Sequence, residues 1–595
     1  MHFSSAEAFL LVLALSSAVE AGRCPTACSC DRKLTVTCVG KNITEIPPTI
    51  DEVRKKTQST VLCCPGGAFI LTPYLTHLNL QRCNIQQVRE GAFRTLGRLV
   101  SLNLAYNKID ILYQEAFDGL SSLKELHLEH NRVEEIQPGA FTQLGFLNML
   151  ALTHNQLVYI PNMAFQGLQN IKWLRLGHNS LNNLAPEAFA GLFTLIRLSL
   201  DHNELQFFPT LTMSRLPEVT RLDMSHNSMT YLGEESVSMA KLTHLYLDHM
   251  SLRDLSDQAL SRAPLLSHLD LSHNQLRYLE PLTGPKEQEH ISSALHDNRH
   301  SSGAFAGAPR LTYLHLEGNR LVKFPGPALS LLPSLFALHL ERNAISKLEP
   351  TGLLASVAPD LRELYLTNNT ITAIAEGALD SAFLGTLHLD SNRLTEMPTH
   401  ALSEAPNLEE INLSRNSIGW VGPNAFKPIS QSLKRLYMDQ MGMPLQGWAP
   451  RLRALTVRGN QLEELPDLSP LTGLEVVDLQ DNPLACDCPL LPLRRWIENN
   501  TLEVMATCGH PPEFRGQKLR DVHAFKSCPE SSFPPVGMVL MASRPPKVMK
   551  RKTSLSKTTG VKAKPAKPKA GFSKPTKNKL QRKPGAPKVT RNKTP

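Results

Sequence analysis

The sequence lacks the motifs that mark the common enzyme classes. It contains no phosphate-binding loop of the G-x-x-x-x-G-K-[ST] type, no G-x-S-x-G and no H-E-x-x-H. Its Asp, His and Ser residues recur instead at one repeating spacing, which is typical of a structural repeat. We therefore expect a protein that is not an enzyme and that holds no cofactor and no metal ion.

Long apolar runs are also scarce. Ala8 to Val19 form one short apolar stretch, and Val19-Glu20-Ala21 fits the cleavage site of a secretory signal peptide. We expect cleavage after Ala21; the alternative is a membrane anchor, which would need ~20 apolar residues. No other stretch is long enough to span a membrane, so the pattern predicts a secreted protein. Sequons, which agree with secretion, predict glycosylation at Asn42, Asn368, Asn412 and Asn499.

Acidic residues are missing from 531–595, a segment with 18 Lys and Arg. The whole chain has a formal net charge of +9, so the rest of it carries −9. Lys and Arg alternate with Pro in this segment, which predicts a disordered, extended tail. We expect it to bind heparan or chondroitin sulfate rather than nucleic acid; the alternative is a solubilising tail without a partner. The predicted glycosaminoglycan-binding residues are Lys550, Arg551, Lys552, Lys562, Lys564, Lys567 and Lys569.

Cysteine is missing between Cys83 and Cys486, and eight of the eleven cysteines cluster near the two ends of the remaining chain. This distribution is typical of an oxidising compartment. One group has C-x3-C-x-C-x7-C spacing, and the other has C-x-C-x19-C-x19-C spacing: Cys24, Cys28, Cys30 and Cys38; Cys486, Cys488, Cys508 and Cys528. The spacing alone allows three disulfide pairings in each group, with zinc binding at Cys486-Asp487-Cys488 as an alternative. We assign no role to Cys63, Cys64 and Cys83.

One motif, L-x-x-L-x-L-x-x-N-x-L, fills the interval without cysteine. It begins seventeen times, mostly 24 residues apart, and chance does not produce so regular a run. The first array begins its repeats at Leu75, Leu99, Leu123, Leu147, Ile171, Leu195, Val219, Leu242 and Leu266, and the second at Leu311, Leu335, Leu361, Leu384, Leu408, Leu433, Leu452 and Leu474. The motif predicts an α/β repeat solenoid, a leucine-rich-repeat horseshoe with a parallel concave sheet.

Each position of the motif has a physical role. Leu102 and Leu104 point inward from a short strand while Asn103 faces outward, because side chains alternate along a strand. Asn107 ends the strand, and its amide can pair with backbone groups of the adjacent turns. Recurring Ala-Phe pairs, such as the one that ends at Phe117, place an aromatic ring toward the convex side.

Two stretches and two single positions depart from the pattern. Residues 277–310 are interpreted as a degenerate repeat, with a flexible linker as the alternative, and 51–67 should hold a poorly conforming first repeat. Met250 and Met441 replace the strand-ending asparagine, so we expect local loosening there.

The predicted organisation is a signal peptide at 1–21, an N-terminal cysteine cap and degenerate first repeat at 22–64, the first array at 65–289, a degenerate repeat or linker at 290–310, the second array at 311–485, a C-terminal cysteine cap at 486–528 and a basic tail at 529–595.

Histidine occupies the position before the strand-ending residue in seven consecutive repeats of the first array. Strands stack ~4.8 Å apart, so these rings should form a column. The seven residues are His130, His154, His178, His202, His226, His249 and His273. Such a column could bind zinc or respond to pH near 6.5. The simpler interpretation, which we favour, is repeat consensus with the imidazoles stacked beside the turns.

The cysteine caps resemble those of the chondroadherin family of extracellular leucine-rich-repeat proteins. The matching segments are Asp481 to Cys488, Leu490 to Trp496, Thr507-Cys508, Gly516 to Lys518, Ala524 to Cys528 and, in the first array, Leu157 to Leu168. The resemblance implies disulfide caps at both ends, with the pairs Cys24–Cys30, Cys28–Cys38, Cys486–Cys508 and Cys488–Cys528. Two-array members carry caps on each array; the middle caps are missing here, so we expect one continuous solenoid or an abridged form.

The family also implies a cartilage-type matrix protein that binds collagen and restrains fibril assembly. The alternative is a ligand for integrins or for heparan sulfate at the cell surface. Either function should use the outward strand positions of the concave face, because a curved sheet offers one long contact surface and because aromatic and Arg residues anchor interfaces. The candidates are Trp173, Arg175, Arg197, Tyr246, Tyr313, His315, Tyr365 and Tyr437.

Overall fold

The computed structural model describes residues 74–279, 303–349, 358–442, 449–465, 468–499, 502, 504–523, 525 and 528, together with three short strands before residue 47. The chain divides into two units, 1–528 and 529–595, and the described residues belong to the first. The predicted signal peptide, the side chains of the N-terminal cysteine group, Asn42 and the basic tail lie outside the described residues.

A sheet of nineteen strands runs through the described part of the first unit, and its strands are parallel except for the first, Ser29–Cys30, which pairs antiparallel with Thr35–Thr37. Seventeen of them belong to the seventeen predicted repeats, one strand to each, so the predicted solenoid is confirmed. The strands are Ser29–Cys30, Thr35–Thr37, His77–Asn79, Ser101–Asn103, Glu125–His127, Met149–Ala151, Trp173–Arg175, Arg197–Ser199, Arg221–Asp223, His244–Tyr246, His268–Asp270, Tyr313–His315, Ala337–His339, Glu363–Tyr365, Thr386–His388, Glu410–Asn412, Arg435–Tyr437, Ala454–Thr456 and Val476–Asp478.

The opposite side of the solenoid is built from two-residue strands and single helical turns. The short strands pair as Glu45–Ile46 with Gln87–Val88, Ile111–Leu112 with Glu135–Ile136, Tyr159–Ile160 with Asn183–Leu184, Tyr231–Leu232 with Asp254–Leu255, and Lys347–Leu348 with Ala373–Ile374. The helices between strands are Thr210–Met213, Gly326–Leu329, Thr399–Leu402 and the 3₁₀ turn Lys427–Ile429.

A stack of phenylalanines fills the side of the core that lies away from the sheet. Phe93, Phe117, Phe141, Phe165 and Phe189 are fully buried, and the centres of adjacent rings lie 5.9–6.4 Å apart. On the sheet side of the same turns, strands stack at only ~4.8 Å. The turns are therefore wider apart at the phenylalanines than at the sheet, which makes the sheet the concave side of these repeats.

The asparagine that ends most of the strands links two adjacent turns. In the repeat that ends at Asn179, Nδ2 donates to the carbonyls of Leu152 and Leu176 at 3.0 and 2.9 Å, and Oδ1 accepts the backbone N–H of Leu157 at 3.1 Å. These bonds satisfy buried backbone groups that the tight turn would leave unpaired. The same arrangement recurs at Asn107, Asn131, Asn155, Asn203, Asn227, Asn274, Asn319, Asn343, Asn369, Asn392, Asn416, Asn460 and Asn482.

Methionine takes the place of this asparagine at two turns. Met250 and Met441 are both buried where the asparagine would lie. A thioether has no N–H to donate, so it cannot bridge the carbonyls of two turns. The local loosening expected there stays a prediction.

The strand pairing bears on the alternatives at the irregular stretches. Strand His268–Asp270 pairs directly with Tyr313–His315, and Asn319 bonds the carbonyl of Leu271. These two strands are adjacent in the sheet, which favours the linker over the degenerate repeat, and the interpretation of 277–310 stays a prediction. Likewise Thr35–Thr37 pairs directly with His77–Asn79, so the first repeat expected over 51–67 adds no strand at that place. Residues 51–73 and 280–302 lie outside the described residues.

A disulfide-bonded cap closes the C-terminal end of the array. It comprises the strand pair Leu484–Ala485 and Cys508–His510, the 3₁₀ turns Cys488–Leu490 and Pro512–Phe514, and the helix Leu491–Asn499. The helix buries Leu491, Leu493, Trp496 and Ile497. The disulfides are Cys486–Cys508 and Cys488–Cys528, the pairing that the resemblance implies, and they exclude the alternative zinc site.

Candidate binding surface

The outward side chains of the sheet form two columns that run across the strands. The first-position column takes the first residue of each strand and the third-position column takes the third, while the residue between them points into the core. The pairing keeps these positions aligned from turn to turn; Trp173, for example, lies opposite Met149 on one side and Arg197 on the other. The aligned register turns residues that are distant in sequence into neighbours.

An aromatic and basic stretch occupies the middle of the first-position column. It consists of Trp173, Arg197, Arg221, His244, His268 and Tyr313 on six consecutive strands. The Arg197 guanidinium lies 5.7 Å from the centre of the Trp173 ring. The His268 ring stacks on His244 at 4.1 Å and on Tyr313 at 4.5 Å. We call these six residues the aromatic stretch.

Electrostatics in the aromatic stretch favour neutral imidazoles beside fixed positive charges. Burial, and then the nearby guanidinium of Arg221, lower the pKa of His244. Burial and the His244 ring do the same to the pKa of His268. The stretch therefore presents flat rings and two arginines at neutral pH.

The third-position column carries tyrosines between acidic and histidine side chains. The Arg221 guanidinium lies 4.5 Å from the centre of the Tyr246 ring, which joins the two columns. Tyr365 stacks on His339 at 4.5 Å. Burial and the Glu363 carboxylate raise the pKa of Tyr365 to about 12, so its hydroxyl stays protonated.

All eight residues predicted for the concave face lie at outward strand positions. Trp173, Arg197 and Tyr313 are in the first-position column, and the other five, Arg175, Tyr246, His315, Tyr365 and Tyr437, are in the third. Trp173 is 43% exposed, Arg175 and Arg197 are also exposed, and the remaining five are half-buried. The prediction missed Arg221, His244 and His268, although the motif places them at the same position as Trp173.

The histidine column runs along the edge of the sheet, where each strand turns. Adjacent ring centres lie 3.9–4.3 Å apart from His130 to His273, and Tyr106 extends the stack at one end. All seven histidines have φ of 51–56°. Histidine is one of the residue types enriched in this left-handed conformation. The turn geometry and ring stacking therefore account for the column, as the simpler interpretation expects.

Three groups of side chains within the described residues have the composition and spacing to hold a metal ion. Two involve the histidine column: His178, Asp201 and His202; His226, Asp248 and His249. The third is on the sheet face: His315, Glu317 and His339. The ligand atoms of each group lie within 4.8 Å of one another.

Three of the predicted glycosylation sites lie in the described residues. Asn368 is exposed in a turn, and Asn499 is exposed at the end of the cap helix. Asn412 is half-buried in the third-position column, where its Oδ1 accepts the backbone N–H of Ser414 at 3.1 Å. A glycan on Asn412, four strands away from the last strand of the aromatic stretch, would cover the sheet face around Tyr437. Among the described residues, no helix is both long and apolar enough to cross a membrane.

The repeats match a known family model and a solved structure. The family model described as leucine rich repeat matches residues 73–133, 121–181, 169–229 and 384–440. A solved leucine-rich-repeat protein of Leptospira interrogans superposes with a TM-score of 0.55 at 26% identity, covering 74% of this chain and 97% of that one.

Two curated relatives are similar to part of the chain at a higher sequence identity. The chain is 39% identical over 111 residues to chondroadherin-like protein of Homo sapiens, which is 18% of this chain and 15% of the relative. It is 36% identical over 110 residues to chondroadherin of Rattus norvegicus, again 18% of this chain and 31% of the relative. The matches thus span less than a third of either relative. The chain therefore has a leucine-rich-repeat fold and is similar, over part of its length, to the chondroadherins.

Proposed function

We propose that the chain is a secreted extracellular-matrix protein that binds collagen and restrains fibril assembly. The aromatic stretch, on the concave sheet face, is the observation that supports this most. Aromatic and arginine side chains anchor protein interfaces, and here they are adjacent and partly exposed. The function is binding rather than catalysis.

The chemistry of the aromatic stretch matches that of a collagen chain. Collagen chains have polyproline II conformation and a high proline content, and their backbone has no internal hydrogen bonds. Other proline-rich helices of this kind dock against aromatic side chains. Trp173 and Tyr313 offer flat faces for proline rings, while Arg197 and Arg221 can donate to solvent-facing carbonyls.

The dimensions of the aromatic stretch favour an elongated partner. It crosses six strands, and five spacings of ~4.8 Å give a length of about 24 Å. A rod that lies across the strands would contact both its aromatic ends and its arginines. A protein bound in this way would cover part of the fibril surface on which further collagen molecules add, which would restrain assembly.

Binding of the full secreted chain to immobilised fibrillar collagen tests this function. The double variant Trp173→Ala/Arg221→Ala removes two anchors, and hot-spot residues cost ~2 kcal/mol or more, so we expect binding at least tenfold weaker. The matched control is Phe146→Ala/Phe193→Ala, because these rings are 64% and 66% exposed but lie outside the strands. Unchanged collagen binding in the first variant would contradict the proposal.

The proposal extends to the basic tail, on sequence grounds alone. Lys550, Arg551 and Lys552, and the later run from Lys562 to Lys569, would bind heparan or chondroitin sulfate by releasing counterions from the sulfated chain. The sheet face and the tail would then bind two different matrix components.

A further inference from the structure

Two adjacent turns of the second array carry the same His-x-Glu pair on the sheet face. His315 and Glu317 form one pair, and His339 and Glu341 form the next, 24 residues later. The strands align His315 opposite His339, and the two rings stack 4.3 Å apart with 9° between their planes. Side chains from two repeats thus form one cluster.

Each glutamate of the cluster uses only one of its carboxylate oxygens. Oε1 of Glu317 lies 3.5 Å from Nδ1 of His315, and Oε1 of Glu341 lies 3.0 Å from Nδ1 of His339. The second oxygen, Oε2, is buried in both residues and has no hydrogen-bond partner among the described residues. A buried carboxylate oxygen without a partner is unfavourable, and a bound cation would relieve that cost.

The donors of the cluster suit a transition-metal ion. One ring nitrogen each from His315 and His339 and one oxygen of Glu317 lie within 4.8 Å of one another. Two imidazoles and one carboxylate are a common protein ligand set for Zn²⁺, whereas Ca²⁺ and Mg²⁺ prefer oxygen ligands alone. A carboxylate that accepts a hydrogen bond from a metal-binding histidine fixes the orientation of its ring. Glu341 is placed to do this for His339.

We propose that His315, Glu317 and His339 bind a zinc ion and that Glu341 positions the His339 ring. The site begins on the last strand of the aromatic stretch, Tyr313–His315, and continues on the next strand, Ala337–His339; it does not depend on collagen binding. It gives the second array a ligand of its own.

The clusters in the histidine column are weaker candidates. In the first of them, both carboxylate oxygens of Asp201 are already engaged, because Ser199 donates to Oδ1 while Oδ2 lies 3.2 Å from Nδ1 of His202. The imidazoles of His178 and His202 are also more exposed than those of His315 and His339. Weak zinc binding by these residues would form a background, and the experiment must distinguish it from binding at the proposed site.

The chain contains a natural control for the proposed site. His127 and Glu129 form the same pair, with 3.0 Å between Nδ1 and Oε1, and Oε2 of Glu129 is likewise buried without a partner. Its neighbours in register are Asn103 and Ala151, so no second histidine is present. A single pair offers two ligands and should hold zinc much less tightly.

Calorimetric titration of the metal-free full chain with Zn²⁺ tests the proposal. We expect Glu317→Gln and His339→Ala each to lose one zinc equivalent or to weaken the tightest site at least tenfold, while Glu129→Gln matches the wild type. Zn²⁺ should also raise the Tm of the wild type and of Glu129→Gln more than that of Glu317→Gln, because a ligand that binds the folded state stabilises it.

Two results would overturn the site. One is an unchanged number and affinity of zinc equivalents in both Glu317→Gln and His339→Ala; the other is an equal loss in Glu129→Gln. Glu317→Gln keeps the size of the side chain, and a far-ultraviolet circular dichroism spectrum shows whether it is folded. Mg²⁺ in excess should leave the zinc isotherm unchanged.

Discussion

A Cβ atom at Gly318 would lie 2.6 Å from Nδ1 of His273, the last imidazole of the histidine column. Gly318 occupies the same turn position as the histidines, one strand later, with φ of 69°. The His273 ring stacks on His249 at 4.3 Å on its other side. Glycine therefore ends the column by giving its last ring room to lie across the next turn.

Replacing Gly318 with alanine should destabilise the protein. The left-handed conformation costs a residue with Cβ about 1–2 kcal/mol, and the methyl group would also displace His273 from its stack. We expect a lower denaturation midpoint than in the wild type. Gly419→Ala is the control, because nothing lies within 4 Å of its Cβ position. Equal midpoints for the two variants would contradict this explanation of the glycine.

Phe141→Ala should be among the more damaging single changes in the first array. The Phe141 ring is fully buried between Phe117 and Phe165, and its removal leaves a cavity that costs about 3–5 kcal/mol. Chemical denaturation of the full chain measures the change. Phe146→Ala, which removes an exposed ring five residues away, should cost less than about 0.5 kcal/mol. A cost near that value for Phe141→Ala would show that the core closes around the missing ring.

The N-terminal half of the histidine column should make stability depend on pH. Burial, and then the neighbouring imidazole, lower the pKa of His130 and His154 below 6.5, partly offset by Glu129 and Asp201 respectively. The folded state thus disfavours the protonated rings. Both states are neutral well above 6.5, and as the pH falls through 6.5 the unfolded state takes up protons first, so stability is lost.

Thermal unfolding at pH of about 7.5 and about 5.5 measures this dependence, since that interval spans the histidine titration. The Tm of the wild type should fall between the two. His130→Asn/His154→Asn should show a smaller fall, because asparagine also tolerates the left-handed turn but does not titrate. An equal fall in the variant would show that other groups govern the pH dependence.

Deletion of residues 544–595 should abolish retention on heparin while leaving the repeat array folded. Retention of the full chain should decrease steeply with salt, because counterion release drives the binding of a Lys-rich segment to a polyanion. Elution from a heparin column along a salt gradient measures both effects. If the truncated chain elutes at the same salt concentration, the acidic remainder of the chain holds the heparin site instead.

The array could be predicted from the sequence because the residue types of each repeat identify its strand and its core positions. Leu102, Leu104 and Asn107 mark two inward positions and a strand end, and the same marks recur in most repeats. The interval around 280–302 could not be placed, since His290 and Leu295 mimic the motif. The direct pairing of His268–Asp270 with Tyr313–His315 is the observation that favours a linker there.

The side-chain clusters were harder to foresee than the repeats. Trp173, Arg197 and Tyr313 stand out in the sequence at outward positions, but Arg221, His244 and His268 between them become significant only when the register makes them neighbours. His315 stands out in the same way, whereas Glu317 reads as an ordinary repeat residue. Their partner His339 is 24 residues away, and nothing in either repeat alone indicates a shared ligand.

Each phenylalanine of the stack widens the spacing between adjacent turns on the side away from the sheet. From Phe93 to Phe189 the rings hold the outer rims of adjacent repeats 5.9–6.4 Å apart. Leucine occupies the corresponding position at Leu260, Leu329 and Leu379, where the smaller side chain should separate adjacent repeats less on the side away from the sheet. We therefore expect the arc to open where leucine replaces phenylalanine, so that a rigid rod would contact a longer run of strands there than beside the phenylalanine stack.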